Sequence, residues 1–141
     1  MCLIFMNKDV NERDNMLFGE DYNEEFYSGG CRWFDGISLE TLKWLVSEGF
    51  ADKEEAQNSS PSIGEFIEET NGYNDSVTFD GYAVSPQRDD YRVSIDTVNV
   101  EIPFDEPDLL AHFVSSFHYA DEFSISPDSL RKIYTLRAWW D

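Results

Sequence analysis

The sequence predicts an α+β fold: a small antiparallel sheet centred on residues 76–103, packed against several short amphipathic helices, in one compact domain over 1–141. Three observations lead there. Ser76 to Pro103 is the one long stretch of alternating β-type residues. The segments around it carry apolar residues at helical spacing behind good cap residues. The chain has 141 residues, with eleven Phe, seven Tyr and four Trp, enough to build a real core.

Within the sheet stretch, Val77, Phe79 and Ala83 share one face of a strand, with Gly81 between them. Tyr91, Val93 and Ile95 resume the period after a polar connection, Ser85 to Asp90, in which Pro86 has no N–H for a central ladder. The apolar phase then flips, since Val98, Val100 and Ile102 stand on the opposite parity from Val93 and Ile95. A bulge or turn near Asp96 and Thr97 returns them to the same core. Asp80-Gly81 is a rival hairpin turn, but it leaves only very short strands.

In chain order, Cys2 to Met6 reads as a short buried strand, and Asn7 to Glu25 as mostly loop with one helical turn. Ser28-Gly29-Gly30 breaks the chain, and Trp33 and Phe34 are expected to anchor that loop to the core. Ser38 caps a helix with Leu39, Leu42, Leu45 and Val46 inside, ended by Gly49 with Phe50 behind it. Ser62 and Glu65 form a capping box for a second helix, whose buried side is Ile63, Phe66 and Ile67 and whose end is Asn71-Gly72. Pro107 opens the most amphipathic helix, with Leu109, Leu110, Phe113, Val114 and Phe117 inside. Ser126-Pro127 predicts a last helix through Leu130, Ile133 and Tyr134, although Ile133 to Trp140 also alternates as a strand.

No run of about eighteen apolar residues is present, so no transmembrane helix is expected. Met1 to Met6 is too short for a signal peptide and has no basic leader. Cys2 and Cys31 suffice for one disulfide, but a reduced, cytoplasmic setting is the simpler expectation.

Charge is the exceptional property. Twenty-nine acidic residues against ten Lys and Arg leave a formal net of −19. Nucleic acid and anionic membranes repel such a chain, and basic proteins attract it. A solubilising surface is the competing explanation. Phosphate-binding Gly loops, G-x-S-x-G, H-E-x-x-H and C-x-x-C are all absent. His118, Asp121 and Glu122 have ligand chemistry, but helix-end polar residues produce the same pattern. A non-enzymatic protein without cofactor or metal is therefore expected.

The residues expected to meet a partner are Asp52, Glu54, Glu55, Glu65, Glu68, Glu69, Asp75, Asp80, Asp89 and Asp90. Helical carboxylates three and four apart have Cβ atoms roughly 5–6 Å apart. Rows of this kind suit a basic groove made for phosphates.

The charge, the chain length and the acidic run Asp52 to Asp75 resemble the anti-restriction and anti-CRISPR proteins of phages and plasmids, many of them DNA mimics. They also resemble immunity proteins that neutralise basic nuclease toxins. Tyr22-Asn23, followed by Gly30, Arg32, Trp33, Phe34 and Asp35, is similar to the N-terminal part of ArdA-type antirestriction proteins. The rest of the chain departs from that pattern, so no residue role carries over. The resemblance implies an inhibitor of a basic nuclease complex in a bacterial host cell. The alternative is an adaptor or immunity-type protein that binds through an apolar surface.

Overall fold

The computed structural model describes residues 3–141, with side chains from Val10 onward. The described residues form a five-stranded antiparallel sheet and four α-helices, the α+β class expected. The helices are α1 (Leu3–Phe18), α2 (Leu39–Ser47), α3 (Ile63–Thr70) and α4 (Pro107–Phe117). The strands are β1 (Cys31–Ser38), β2 (Val77–Val84), β3 (Val93–Pro103), β4 (Glu122–Asp128) and β5 (Ile133–Trp139), in spatial order β1-β2-β3-β5-β4.

One hydrophobic cluster joins Leu39, Leu42 and Leu45 of α2, Ile63 and Phe66 of α3 and Phe113 and Phe117 of α4 to the sheet. Phe79, Ile95, Val98, Val100, Leu136 and Ala138 are among its sheet members. The helices α2, α3 and α4 thus cover one face of the sheet; the other, open face is met by the loop before α3, where Glu55 accepts from Ser94 and Gln57 from Tyr82.

The phase flip in β3 is resolved by the expected bulge. Asp80 pairs with Thr97 while Gly81 pairs with Ile95, so Asp96 is the extra residue. Val93 and Ile95 therefore point into the same core as Val98 and Val100. Asp80-Gly81 lies inside β2 rather than in a turn. A Cβ on Gly81 would come within 2.0 Å of the Ser94 carbonyl oxygen, so the close approach at the bulge requires glycine.

Four expectations are corrected. The segment expected as a strand at Cys2 to Met6 is helical from Leu3, and the helix runs through the expected loop to Phe18. Its inward residues Val10, Arg13, Asp14 and Leu17 have helical spacing. Two of those positions are charged, which disguises the stripe in the sequence. The buried Arg13 Nε donates to Asp14 Oδ1 at 2.9 Å, Nη1 to the Val84 carbonyl at 2.9 Å and Nη2 to the Tyr27 hydroxyl at 2.7 Å. Burial raises the Tyr27 pKa well above its ordinary value.

Residues 31–38 are a strand that the sequence pattern hides. A register shift between Phe34 and Ile37, with Gly36 at φ 71°, breaks the alternation. Phe34 is buried as expected, but Trp33 points to the open face and is 62% exposed. Ser126-Pro127 starts no helix, because β4 is an edge strand, where a proline is tolerated. Asp128 Oδ1 accepts from the backbone N–H groups of Leu130 and Arg131, which turns the chain into β5. Cys31 is a free thiol, and Cys2 lies outside the described residues.

Candidate functional site: an acidic face on α3

The capping box at the start of α3 is formed as expected. Ser62 Oγ accepts from the Glu65 N–H at 3.1 Å, and Glu65 Oε1 accepts from the Ser62 N–H at 2.9 Å. Ile63, Phe66 and Thr70 are buried, which turns Glu65 and Glu68 outward.

The preceding loop is tied to the same helix end. The Ile63 N–H donates to the Glu55 carbonyl at 2.9 Å and the Gly64 N–H to the Lys53 carbonyl at 2.8 Å. Asp52 Oδ1 shapes that loop by accepting from the Glu54 N–H at 2.9 Å. The first three N–H groups of α3 are thus satisfied internally, and the helix end offers its carboxylates rather than an anion site. Glu54, Glu65 and Glu68 line one open groove of about 570 Å³ together with Lys53, Ala56 and Ser62. None of the three carboxylates is in an ion pair among the described residues.

Glu69 turns toward α4, where Ser116 Oγ donates to it at 2.9 Å and His112 Nε2 lies 3.8 Å away. Tyr119, at the end of α4, is half exposed. Burial raises its pKa, and the nearby charges of Glu65 and Glu69 raise it further. Glu65 and Glu69 thus lie close to Tyr119, just beyond α4.

The other expected residues lie elsewhere. Glu55 faces the sheet, 3.3 Å from Arg92 Nε, and accepts from Ser94 Oγ at 3.1 Å. Asp90 holds both Arg88, at 2.6 Å, and Arg92, at 2.9 Å, and the Arg92 hydrogen bond is the largest cause of its lowered pKa. Asp80 sits on the open face of the sheet, accepting from the Gly36 N–H at 2.8 Å and from Asn99 Nδ2 at 3.2 Å. Asp75 and Asp89 are exposed in the turn before β2 and in the β2–β3 connection. The structure thus gathers Asp52, Glu54, Glu65 and Glu68, with Glu69 beside them, and separates off the remaining five.

Among the described residues no three His, Cys, Asp or Glu side chains are grouped to hold a metal, His118, Asp121 and Glu122 included. No described helix is long and apolar enough to cross a membrane. Sequence reasoning missed a second groove, on the open sheet face, lined by Trp33, Tyr82 and Trp139 with Arg88 and Arg92. Recognising β1 and β5 as strands is the signal that would have put Trp33 and Trp139 on one face. No protein-family model, no curated protein and no solved structure matches the chain.

Proposed function

We propose that the protein is a non-enzymatic inhibitor that binds a basic, nucleic-acid-handling protein and occludes its nucleic-acid site. The convergence of Glu54, Glu65 and Glu68 in one groove, free of ion pairs among the described residues, carries this reading. Glutamates whose Cβ atoms stand about 5–6 Å apart on a capped helix meet a phosphate-binding surface with their backbone already ordered. The net charge of −19 speeds encounter, while close contacts set affinity. The resemblance to anti-defence proteins suggests a bacterial defence nuclease complex as the partner.

The test is capture of the partner from host lysate, followed by competition against labelled duplex DNA. The combined variant Glu54→Lys, Glu65→Gln, Glu68→Lys reverses the groove while glutamine keeps the capping box. Competition is expected to weaken by more than about tenfold, and added salt should weaken the unaltered protein similarly. Equal competition by the folded variant, or competition insensitive to salt, rejects the proposal. A second reading, binding through an apolar surface, draws on the β4–β5 hairpin, where Leu130 in the turn is 97% exposed and Ile125 of β4 is exposed as well. It predicts salt-insensitive capture that is lost in Leu130→Ser.

A further inference from the structure

The groove on the open sheet face is separate from the acidic helical face and has a different chemistry. It encloses about 420 Å³, and its lining includes Trp33, Tyr82, Asp96, Trp139, Arg88 and Arg92. Trp33 lies against Tyr82, with ring centroids 5.8 Å apart. The β3 bulge delivers Asp96 to this surface as its extra residue.

The charges in the groove are unequally matched. Arg88 donates through Nε and Nη2 to Asp90, and Arg92 donates to Asp90 and Glu55. Two guanidinium groups thus meet two carboxylates and leave no surplus. Asp96 is half-buried and accepts from Thr97 Oγ1 at 2.8 Å, and no cation stands within ion-pair distance of it among the described residues. Burial raises its pKa and the Asp80 charge adds to that effect, while Arg137 acts the other way. A further cation brought to this site would offset these effects by favouring the charged carboxylate.

We infer that the groove docks an arginine side chain of the basic partner, its guanidinium on the Asp96 carboxylate and its plane against Trp33 and Trp139. Tryptophan is the strongest of the aromatic faces for a cation. Guanidinium also combines a flat stacking surface with a fork of donors matched to a carboxylate, which a lysine ammonium lacks. An anionic occupant would meet the Asp96 charge and find Arg88 and Arg92 already engaged. The inference rests on the proposal that the partner is basic. It adds a directional anchor to a recognition that is otherwise carried by charge alone.

The experiment uses the full chain and a neutral-flanked peptide with a single arginine, with its citrulline counterpart as the uncharged control. Tryptophan indole N–H and backbone amide resonances are followed by NMR at low ionic strength. The arginine peptide should shift the Trp33 and Trp139 signals saturably, and the citrulline peptide should bind at least about tenfold more weakly. Asp96→Asn, which keeps an acceptor for Thr97, should weaken the arginine peptide without altering the fold, as should Trp33→Ala. Absence of saturable shifts at both indoles, equal citrulline binding or an unaffected Asp96→Asn variant overturns the inference. Shifts confined to α3 amides overturn it while leaving the acidic-face proposal standing. Intact groove binding by the Glu54/Glu65/Glu68 variant, together with undiminished competition by that variant, rejects the acidic face and not the groove.

Discussion

Phe66→Ala tests whether α3 is held as rigidly as its carboxylates require. Phe66 is fully buried, and its ring meets Phe79 of β2 at 5.8 Å, Phe117 of α4 at 5.9 Å and Trp140 beyond β5 at 5.6 Å. It is the node where two helices and the sheet meet. Truncating a buried phenylalanine costs about 3–5 kcal/mol through lost burial and the cavity left behind. Aromatic pairs add roughly 0.5–1.5 kcal/mol each beyond their area. Three such partners place this site at the upper end, about 4–5 kcal/mol. Since whole-domain stability is only about 5–15 kcal/mol, a large share is lost. With a mid-range urea m-value of about 2 kcal/mol/M, the unfolding midpoint should fall by roughly 2 M with m unchanged. Half-exposed Phe26, whose ring lies 4.9 Å from the Arg32 guanidinium, is the control, and Phe26→Ala should cost less than about 1 kcal/mol. A Phe66→Ala loss below about 2 kcal/mol would refute the reasoning. It would mean that α3 and its glutamates are not fixed by this cluster.

Two further predictions concern charge inside the fold. Asp14→Ala leaves the buried Arg13 without its carboxylate and should cost about 3–5 kcal/mol, whereas replacing Arg13 and Asp14 together by Met and Leu should cost far less; denaturant midpoints of the two variants decide it. Asp96 has a raised folded-state pKa, so the folded chain holds this proton more tightly than the unfolded one. Its contribution to stability is greatest below the unfolded carboxylate range and is lost as pH rises through the folded pKa. Asp96→Asn should therefore stabilise the protein at neutral pH but not at low pH, and equal midpoint differences at both would contradict this.

The helices α2, α3 and α4 and the pairing of β2 with β3 were legible in the sequence because each is written in one local code. Ser38 and Ser62 accept where N-caps should, and Gly49 takes φ 83° at the helix end. The parity flip before Val98 marked the bulge, since a strand cannot otherwise bury both sets of side chains. The elements that stayed hidden break their own period. Arg13 and Asp14 are polar in sequence yet occupy the inner face of α1, because they satisfy one another and Tyr27 across a distance no local pattern records. Asp35-Gly36 interrupts β1, and Pro127 imitates a helix start on an edge strand.

The same limit governs the candidate site. Ten carboxylates looked equivalent because sequence distance says nothing about which of them an arginine will reach. Arg88 and Arg92 both lie in the connection between β2 and β3, where they engage Asp90, and Arg92 also reaches Glu55 in the loop before α3. The helices α3 and α4 contain no Lys or Arg at all, so Glu65 and Glu68 have no cation on their own helix or on α4. With Cβ atoms about 5–6 Å apart, these two side chains are anchored within one Debye length, roughly 8 Å at physiological salt, of each other. The engaged carboxylates at Glu55 and Asp90 contribute mainly to holding the loops in place. The count of twenty-nine acidic residues therefore overstates how much of the surface can attract a partner. The effective quantity is the charge left over after internal pairing, and in this fold α3 and the loop before it hold one compact part of it.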